Sequence, residues 1–268
     1  MTLTVVRTPT QLPISVSQAK AFCRVDGSDE DALFDAFVRA SVDHLEMLSG
    51  RCLVSRRVKL SLDRFPYQVG TTNFTIDDFR GVIRLPMSPV WCVNEIRYLD
   101  ADRVWQTWDS SKYTLEQNTD PSVVTCEEGE TYPETYLEPG CVVIEYECGY
   151  AAPFSVSASV LTVVNRTMVD DEVVNVWTQG SMPTGLSADK DYFVVNSTGA
   201  TCQLSLTEGG DPISISGGSG VHFVGNLPKS SAVACHILTR HLWERGEKSG
   251  VDVMLRPMVD SFRAMGYA

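Results

Sequence analysis

The chain has 268 residues, 43% of them hydrophobic and 21% charged, and a formal net charge of −12. That length and apolar content are enough for a sizeable buried core plus a smaller second one. The acidity excludes a protein that grips nucleic-acid phosphates through clustered Lys and Arg, but it leaves open a wall past which DNA slides. The charge is uneven, with −9 over residues 1–153, −5 over 154–225 and +2 over 226–268.

After an extended start with Pro9 and Pro13, Ser15 or Ser17 caps a short helix in which Ala19, Phe22 and Cys23 recur at helical spacing until Asp26-Gly27 stops it. A longer helix follows, capped by Ser28, with Asp29, Glu30 and Asp31 at its positive end and Leu33, Ala36, Phe37, Ala40, Leu48 and either His44 or Leu45 on its apolar stripe to Gly50. The linking Val25-Asp26-Gly27-Ser28 is short, so the two form a helical hairpin.

From Val54 the period changes to two: Val58, Leu60 and Leu62 alternate with Arg57, Lys59 and Ser61 until Asp63-Arg64-Phe65-Pro66. Further strands are expected at Val82–Leu85, Val93–Tyr98, Tyr113–Glu116, Ser122–Cys126 and Cys141–Tyr146, punctuated by Pro, Gly and Asp clusters. From about Pro153 to Gly225 comes a run of its own: Val160–Asn165, Glu172–Thr178, Asp191–Asn196, Thr201–Leu206 and Ser219–Val224 read as strands of a small sandwich or barrel. Helix then returns. Asn226 and Pro228 open one carrying Ala232, Val233, His236, Ile237, Leu238, Leu242 and Trp243, and a tail helix is expected from about Asp252 to Met265 with Pro257 inside it. Met254, Met258, Phe262 and Met265 share one stripe of that tail, flanked by Arg256 and Arg263, a composition that suits either docking on its own domain or an interface core. The expected fold class is α+β: a helical core made of the hairpin and the C-terminal helices, with a β elaboration and an inserted all-β domain. Residues 1–152 with 226–268 form one discontinuous domain and 153–225 the inserted one.

Chemistry finds little footing. His44, His222, His236 and His241 are scattered, and His236 and His241 are five apart, which misses the helical spacing of paired ligands. Asp170, Asp171 and Glu172 alternate across a strand and lack the oxygen spacing of a calcium loop. Gly209-Gly210 and Gly217-Gly218-Ser219-Gly220 lack the Lys-Ser/Thr pair of a phosphate cradle. No catalytic residue, cofactor or metal is expected. The eight cysteines contain no C-x-x-C pair and read as buried free thiols, and Cys141 and Cys148 lie seven apart on one strand, facing away from each other. Met1–Arg7 lacks the pattern of a secretory leader and no segment reaches the roughly 18 apolar residues of a membrane span, so folding in a reducing cytoplasm and no membrane partner are expected.

The order of parts then carries a resemblance. Ile14-Ser15-Val16-Ser17-Gln18-Ala19-Lys20-Ala21-Phe22-Cys23-Arg24-Val25-Asp26-Gly27 leading into Asp29-Glu30-Asp31-Ala32-Leu33 resembles the N-terminal signature of the tailed-bacteriophage head-tail connector (adaptor) family. Ser49-Gly50-Arg51, Leu60-Ser61-Leu62-Asp63-Arg64-Phe65-Pro66, Ile83-Arg84-Leu85-Pro86-Met87-Ser88-Pro89-Val90, Val143-Ile144-Glu145-Tyr146-Glu147-Cys148-Gly149-Tyr150, Leu227-Pro228-Lys229-Ser230-Ser231-Ala232 and Trp243-Glu244-Arg245 follow in the family's order. The likeness covers residues 12–152 and 226–268. Met182–Ala188 with Asp191–Asn196 and Thr201–Leu206 is similar to a small β module that recurs in phage virion proteins, and it is the main departure from the plain adaptor pattern.

The resemblance implies a structural virion protein and not an enzyme: a ring, twelvefold in that family, in the virion neck beneath the portal, touching the portal on one side and a neck, stopper or tail protein on the other. Its channel would pass DNA without sequence-specific binding, and carboxylates facing a duplex offer phosphates no sticking points. Assembly would take place in the host cytoplasm. Family adaptors engage the portal through their C-terminal segment, which maps here onto Arg256, Met258, Val259, Phe262, Arg263 and Tyr267. The rival reading from the residues is a tail-associated carbohydrate- or receptor-binding module, suggested by the β insert and by Trp91, Trp105 and Trp108. A cell-wall hydrolase is a further rival, for which nothing nominates an acid or a base.

Overall fold

The computed structural model describes residues 1–7, 12–66, 81–117, 119–164, 166–188, 190–245, 251–261 and 263. The chain divides into two compact units, residues 1–8 with 56–148 and residues 9–55 with 149–268.

The first unit holds strands β1 (Thr2–Arg7), β2 (Arg56–Leu62), β3 (Ile83–Arg84), β4 (Val90–Leu99), β5 (Trp105–Thr107), β6 (Tyr113–Glu116), β7 (Val123–Cys126) and β8 (Val142–Cys148). Five of them form an antiparallel sheet in the order β1-β2-β8-β4-β5, and β3-β7-β6 form a second. The alternation in β2 sets its register: Val58 and Leu60 are fully buried and sit opposite Tyr146 and Ile144 of β8, while Lys59 sits opposite Glu145 on the other face. Irregularities in β4 between Val90 and Cys92 and between Val93 and Glu95 keep Ile96 level with Ile144 on the buried side. The buried Tyr146 hydroxyl is satisfied by donating to the Pro86 carbonyl at 2.7 Å. Phe65 and Trp108, with centroids 5.4 Å apart, anchor an aromatic cluster that includes Tyr98, Tyr113 and Tyr132.

The second unit begins with helices α1 (Val16–Cys23) and α2 (Asp31–Ser49). Ser15 caps α1 through a reciprocal pair in which its Oγ accepts from Gln18 N while Gln18 Oε1 accepts from Ser15 N. The expected cap of α2 at Ser28 is displaced. That helix starts after Glu30, and the Ser28 carbonyl instead accepts from Asp31 N. The buried Lys20 ammonium reaches both the Gly27 carbonyl and the Asp31 carboxylate, which ties the turn between the helices to α1. Gly50 ends α2 in the left-handed region.

Strands β9 (Ala151–Ser157), β10 (Val160–Val163), β11 (Val173–Thr178), β12 (Asp191–Val195), β13 (Thr201–Ser205) and β14 (His222–Gly225) form a closed antiparallel barrel in the order β10-β13-β12-β11-β14-β9. Leu161, Val174, Val176, Val194, Cys202, Leu204 and Val224 fill it. Gly225 is required where β14 leaves: at φ 149 a Cβ would lie 2.0 Å from the Tyr150 carbonyl and 2.4 Å from Arg166 Nη1. Helices α3 (Lys229–Arg245) and α4 (Val251–Asp260) complete the unit. Phe34, Val38, Val42 and Leu45 of α2, Cys235 and Leu238 of α3, and Leu255 and Val259 of α4 form one apolar cluster. Each such side chain withdrawn from water contributes about 1.5–3 kcal/mol.

One expectation is overturned. The fold is not a helical core with a β elaboration and an inserted all-β domain: the described residues form four helices against fourteen strands, and the strands build two sheets and a closed barrel. The reason lies in how the two patterns advertise themselves. The nineteen-residue α2 repeats its apolar stripe over several turns, whereas strands of two to ten residues each show only a few alternations. Three strands were also missed. β1 carries consecutive Val5 and Val6, β5 is three exposed residues, and β9 contains Pro153, which argues against a strand when read alone.

Candidate assembly interface

The sequence points to the C-terminal helix, and its geometry follows from Leu255 and Val259. These lie one turn apart, are fully buried in the helical cluster, and so fix which face of α4 is inward. Arg256 is exposed, Met258 is half-buried and packs on the cluster edge, and Arg263 is half-buried with Nη1 3.5 Å from Asp260 Oδ1. Val259, named with them from the sequence, faces its own core and presents no surface. Phe262 and Tyr267 lie outside the described residues. The end of α4 is held by Ser261, whose hydroxyl donates to the Met258 carbonyl at 2.6 Å and meets Ser230 Oγ of α3 at 3.1 Å.

A second surface was only half legible. The outward face of the five-stranded sheet is laced with charge: Arg57 Nη2 donates to Glu147 at 2.8 Å and its Nη1 to Glu145 at 3.5 Å, and the bond to Glu147 raises the arginine's pKa. Lys59, Glu95, Arg97, Trp105, Val143 and Glu145 line a hollow of about 220 Å³ on that face, with the Arg97 guanidinium 5.4 Å from the Trp105 ring centre. Alternation reveals Arg57 and Lys59 as outward residues, but no local signal tells that Glu95 and Trp105 join them.

The rival sites do not assemble. Trp108 is buried in the aromatic cluster while Trp105 is exposed on the charged face, so the two offer no shared platform for a sugar. A hydroxyl–imidazole contact does exist, Thr178 Oγ1 to His222 Nδ1 at 2.9 Å, but the Val221 carbonyl 3.2 Å from the same hydroxyl competes for its single proton, and a two-residue contact is not by itself an activated nucleophile. Among the described residues no group of three or more His, Cys, Asp or Glu is placed to hold a metal. None of their helices is long and apolar enough to cross a membrane.

No family model and no curated relative matches the sequence. Among solved structures the chain is similar to one in the neck of an empty GTA particle computed with C6 symmetry, at a TM-score of 0.54 and 16% identity, over 98% of this chain and 96% of that one. It is similar to the same degree, TM-score 0.54 and 16% identity, to a chain in the virion of a native gene transfer agent (GTA) particle, over the full length of both. At this identity the likeness is one of fold, and it extends from end to end, the barrel included.

Proposed function

We propose that the chain is a structural protein of a phage-like particle, a head-tail adaptor that forms a ring in the neck, joins the portal to the next neck or tail protein, and surrounds the DNA channel. The observation that carries this reading is the end-to-end likeness of fold to chains from a GTA neck and virion. The ordered motifs of residues 12–152 and 226–268 support it independently, because they resemble a family with the same place in the particle. The net charge of −12 suits a passage that must not hold DNA. The proposed role is assembly and conduction rather than catalysis. The proposed portal surface is the exposed part of the C-terminal segment, with Arg256, Met258 and Arg263 as its described members and Phe262 and Tyr267 beyond them. Residues 153–225 are proposed as an addition to the adaptor part, 1–152 and 226–268, supported by barrel strands that run from Ala151 to Gly225.

The test is electron microscopy of particles whose copies carry a label in the loop after β13. Density for the label at the neck is expected. A label at the tail tip or over the capsid would overturn the reading, and the tip position would favour a receptor-binding role.

A further inference from the structure

The five-stranded sheet ends in β1 on one side and β5 on the other, and the ladder inside it fixes where the main-chain groups of those two strands point. Such groups alternate in direction along a strand. Leu99 N donates to Cys141 O, just before β8, whereas Trp108 N donates to Ile96 O and Asp100 N to Val104 O. Arg97 and Leu99 therefore turn to β8, and Ile96 and Tyr98 turn to β5. Carried across the register, Val142, Ile144 and Tyr146 turn to β2, Arg57, Lys59 and Ser61 turn to β1, and Thr2 and Thr4 answer there. The N–H and C=O of Leu3 and Val5 are left on the free side of β1, and those of Trp105 and Thr107 on the free side of β5. No described residue bonds them. The exposed large hydrophobic side chains described in this unit gather at the same places: Val5 and Val6 in β1, Val104 and Trp105 at β5, and Tyr136 and Leu137 beside the turn into β5, where the Arg103 guanidinium lies 4.3 Å from the Tyr136 ring centre.

We infer that copies of this chain join head to tail through these edges, β5 of one copy pairing with β1 of the next. Every neighbouring pair in the sheet is antiparallel, so its first and fifth strands run the same way. A second copy brought alongside by rotation thus continues the sheet as a parallel pair, buried face beside buried face. The open groups interdigitate: Trp105 N–H meets Leu3 O, Val5 N–H meets Trp105 O, and Thr107 N–H meets Val5 O. Val5 then lies opposite Gln106, and the β-branched Thr4 lies opposite Trp105, a favourable cross-strand pair. Neither Leu3–Val6 nor Val104–Trp108 carries a charge that the contact would bury. Trp105, with the Arg97 guanidinium 5.4 Å from its ring centre, belongs to the residue types that interface cores favour. The occupant is a second copy because one such contact answers both edges, whereas a foreign strand, or β1 paired with β1 about a two-fold axis, leaves the other edge open. Closure of the copies into a ring rests on the proposed function. The pairing itself rests on the two open edges.

The experiment oxidises a Val5→Cys/Gln106→Cys double variant, each single variant and the parent, both in purified particles and as concentrated purified chain. Within one chain positions 5 and 106 lie four strand spacings apart, about 19 Å, so no disulfide can join them internally. A ladder of dimers, trimers and higher multimers is expected from the double variant alone, with mass spectrometry placing the disulfide between positions 5 and 106. Residue-resolved hydrogen exchange of the parent, which needs no substitution, is expected to slow tenfold or more at Val5, Trp105 and Thr107 on assembly. Thr4 and Gln106, already bonded inside the sheet, should not change. A ladder in the purified chain with the protein missing from particles would sink the neck role and leave the pairing standing. Dimers from Val5→Cys alone would mean a two-fold contact, slowed amides without a ladder a different occupant, and a ladder with unchanged amides a chance meeting of thiols. Each of these overturns the inference, as does the absence of both signals from both preparations.

Discussion

Ser41 of α2 and Thr239 of α3, 198 residues apart in the chain, share a buried hydroxyl–hydroxyl hydrogen bond of 3.0 Å. Ser41 also donates to the Phe37 carbonyl at 2.7 Å, so Thr239 is the donor in the pair and the opening hairpin is registered against the closing helix by one directed bond. Around it, Phe34 of α2 meets Trp243 of α3 with ring centres 5.0 Å apart. The two ends of the sequence therefore pack as one helical cluster although the six barrel strands lie between them.

Removing that bond from both sides should cost less than the two separate removals added together. Ser41→Ala and Thr239→Val are each expected to destabilise by about 1 kcal/mol, and the double variant by less than the sum, with a coupling of about 0.5–1.5 kcal/mol. Urea denaturation of the four proteins measures it. Strict additivity would mean that the hydroxyls are not coupled.

The buried guanidinium of Arg166 should be the most sensitive single side chain of the barrel. It donates to the Tyr150 carbonyl at 3.0 Å and to the Val224 carbonyl at 3.3 Å, and it pairs with the Glu172 carboxylate. Burial lowers the Arg166 pKa and raises that of Glu172, so each charge depends on the other. Arg166→Met alone strands a carboxylate and two carbonyls and is expected to cost about 3–5 kcal/mol, with Glu172→Gln added on top recovering part of it. Thermal unfolding of the single and double variants checks this, and a single variant as stable as the parent would refute it.

Thiol reactivity should divide the cysteines by burial. Cys52, Cys141, Cys148, Cys202 and Cys235 are buried, and burial pushes the Cys202 thiol up to about 12 and that of Cys235 up as well. Only Cys23, Cys92 and Cys126 are partly exposed. Alkylation of native protein followed by mass spectrometry should mark those three within the time that leaves the other five intact, and denaturant should release all eight. Early labelling of Cys202 or Cys235 would show that their surroundings open.

Stability should fall on the acid side. Burial lowers the pKa of both His222 and His236. A histidine whose folded pKa lies below its unfolded value of about 6.5 binds more protons when unfolded, so its contribution is present above that pH and is lost as pH falls below it. The melting temperature is expected to drop between about pH 7 and pH 5, and His236→Gln should flatten the drop. A flat profile in the parent protein would contradict both shifts.

Much of this fold could be read from residues that act locally. The Ser15–Gln18 reciprocal cap, the α2 stripe and the Val58–Leu60 alternation each put their own signature within a few positions, and the barrel strands other than β9 lie within a few residues of where turns and β-branched runs place them. What could not be read depends on partners distant in sequence. Val5 and Val6 make a strand because Val58 lies opposite, Pro153 is tolerated because it pairs with Phe223 at a strand whose other residues complete the ladder, and Trp108 is buried because Phe65 and Tyr132 close over it. The candidate portal residues show the same limit. Periodicity places Arg256, Met258 and Val259 on one short helix but does not say that Val259 turns inward.

That last point decides how the portal reading must be tested. Deleting residues 252–268 would remove Leu255 and Val259 from the helical cluster, and loss of such side chains costs about 2–5 kcal/mol each, so failure to assemble would be confounded with failure to fold. Val259→Ala should therefore lower stability by about 1–3 kcal/mol without a specific effect on assembly. Arg256→Glu reverses an exposed charge at no packing cost. It is expected to leave the circular dichroism spectrum and melting temperature unchanged while reducing co-sedimentation with purified portal at least tenfold, an effect that should weaken as salt is raised. Arg256→Glu protein that still binds portal like the parent would remove α4 from the interface, and the charged face around Arg57 and Glu147 would then be the next surface to reverse.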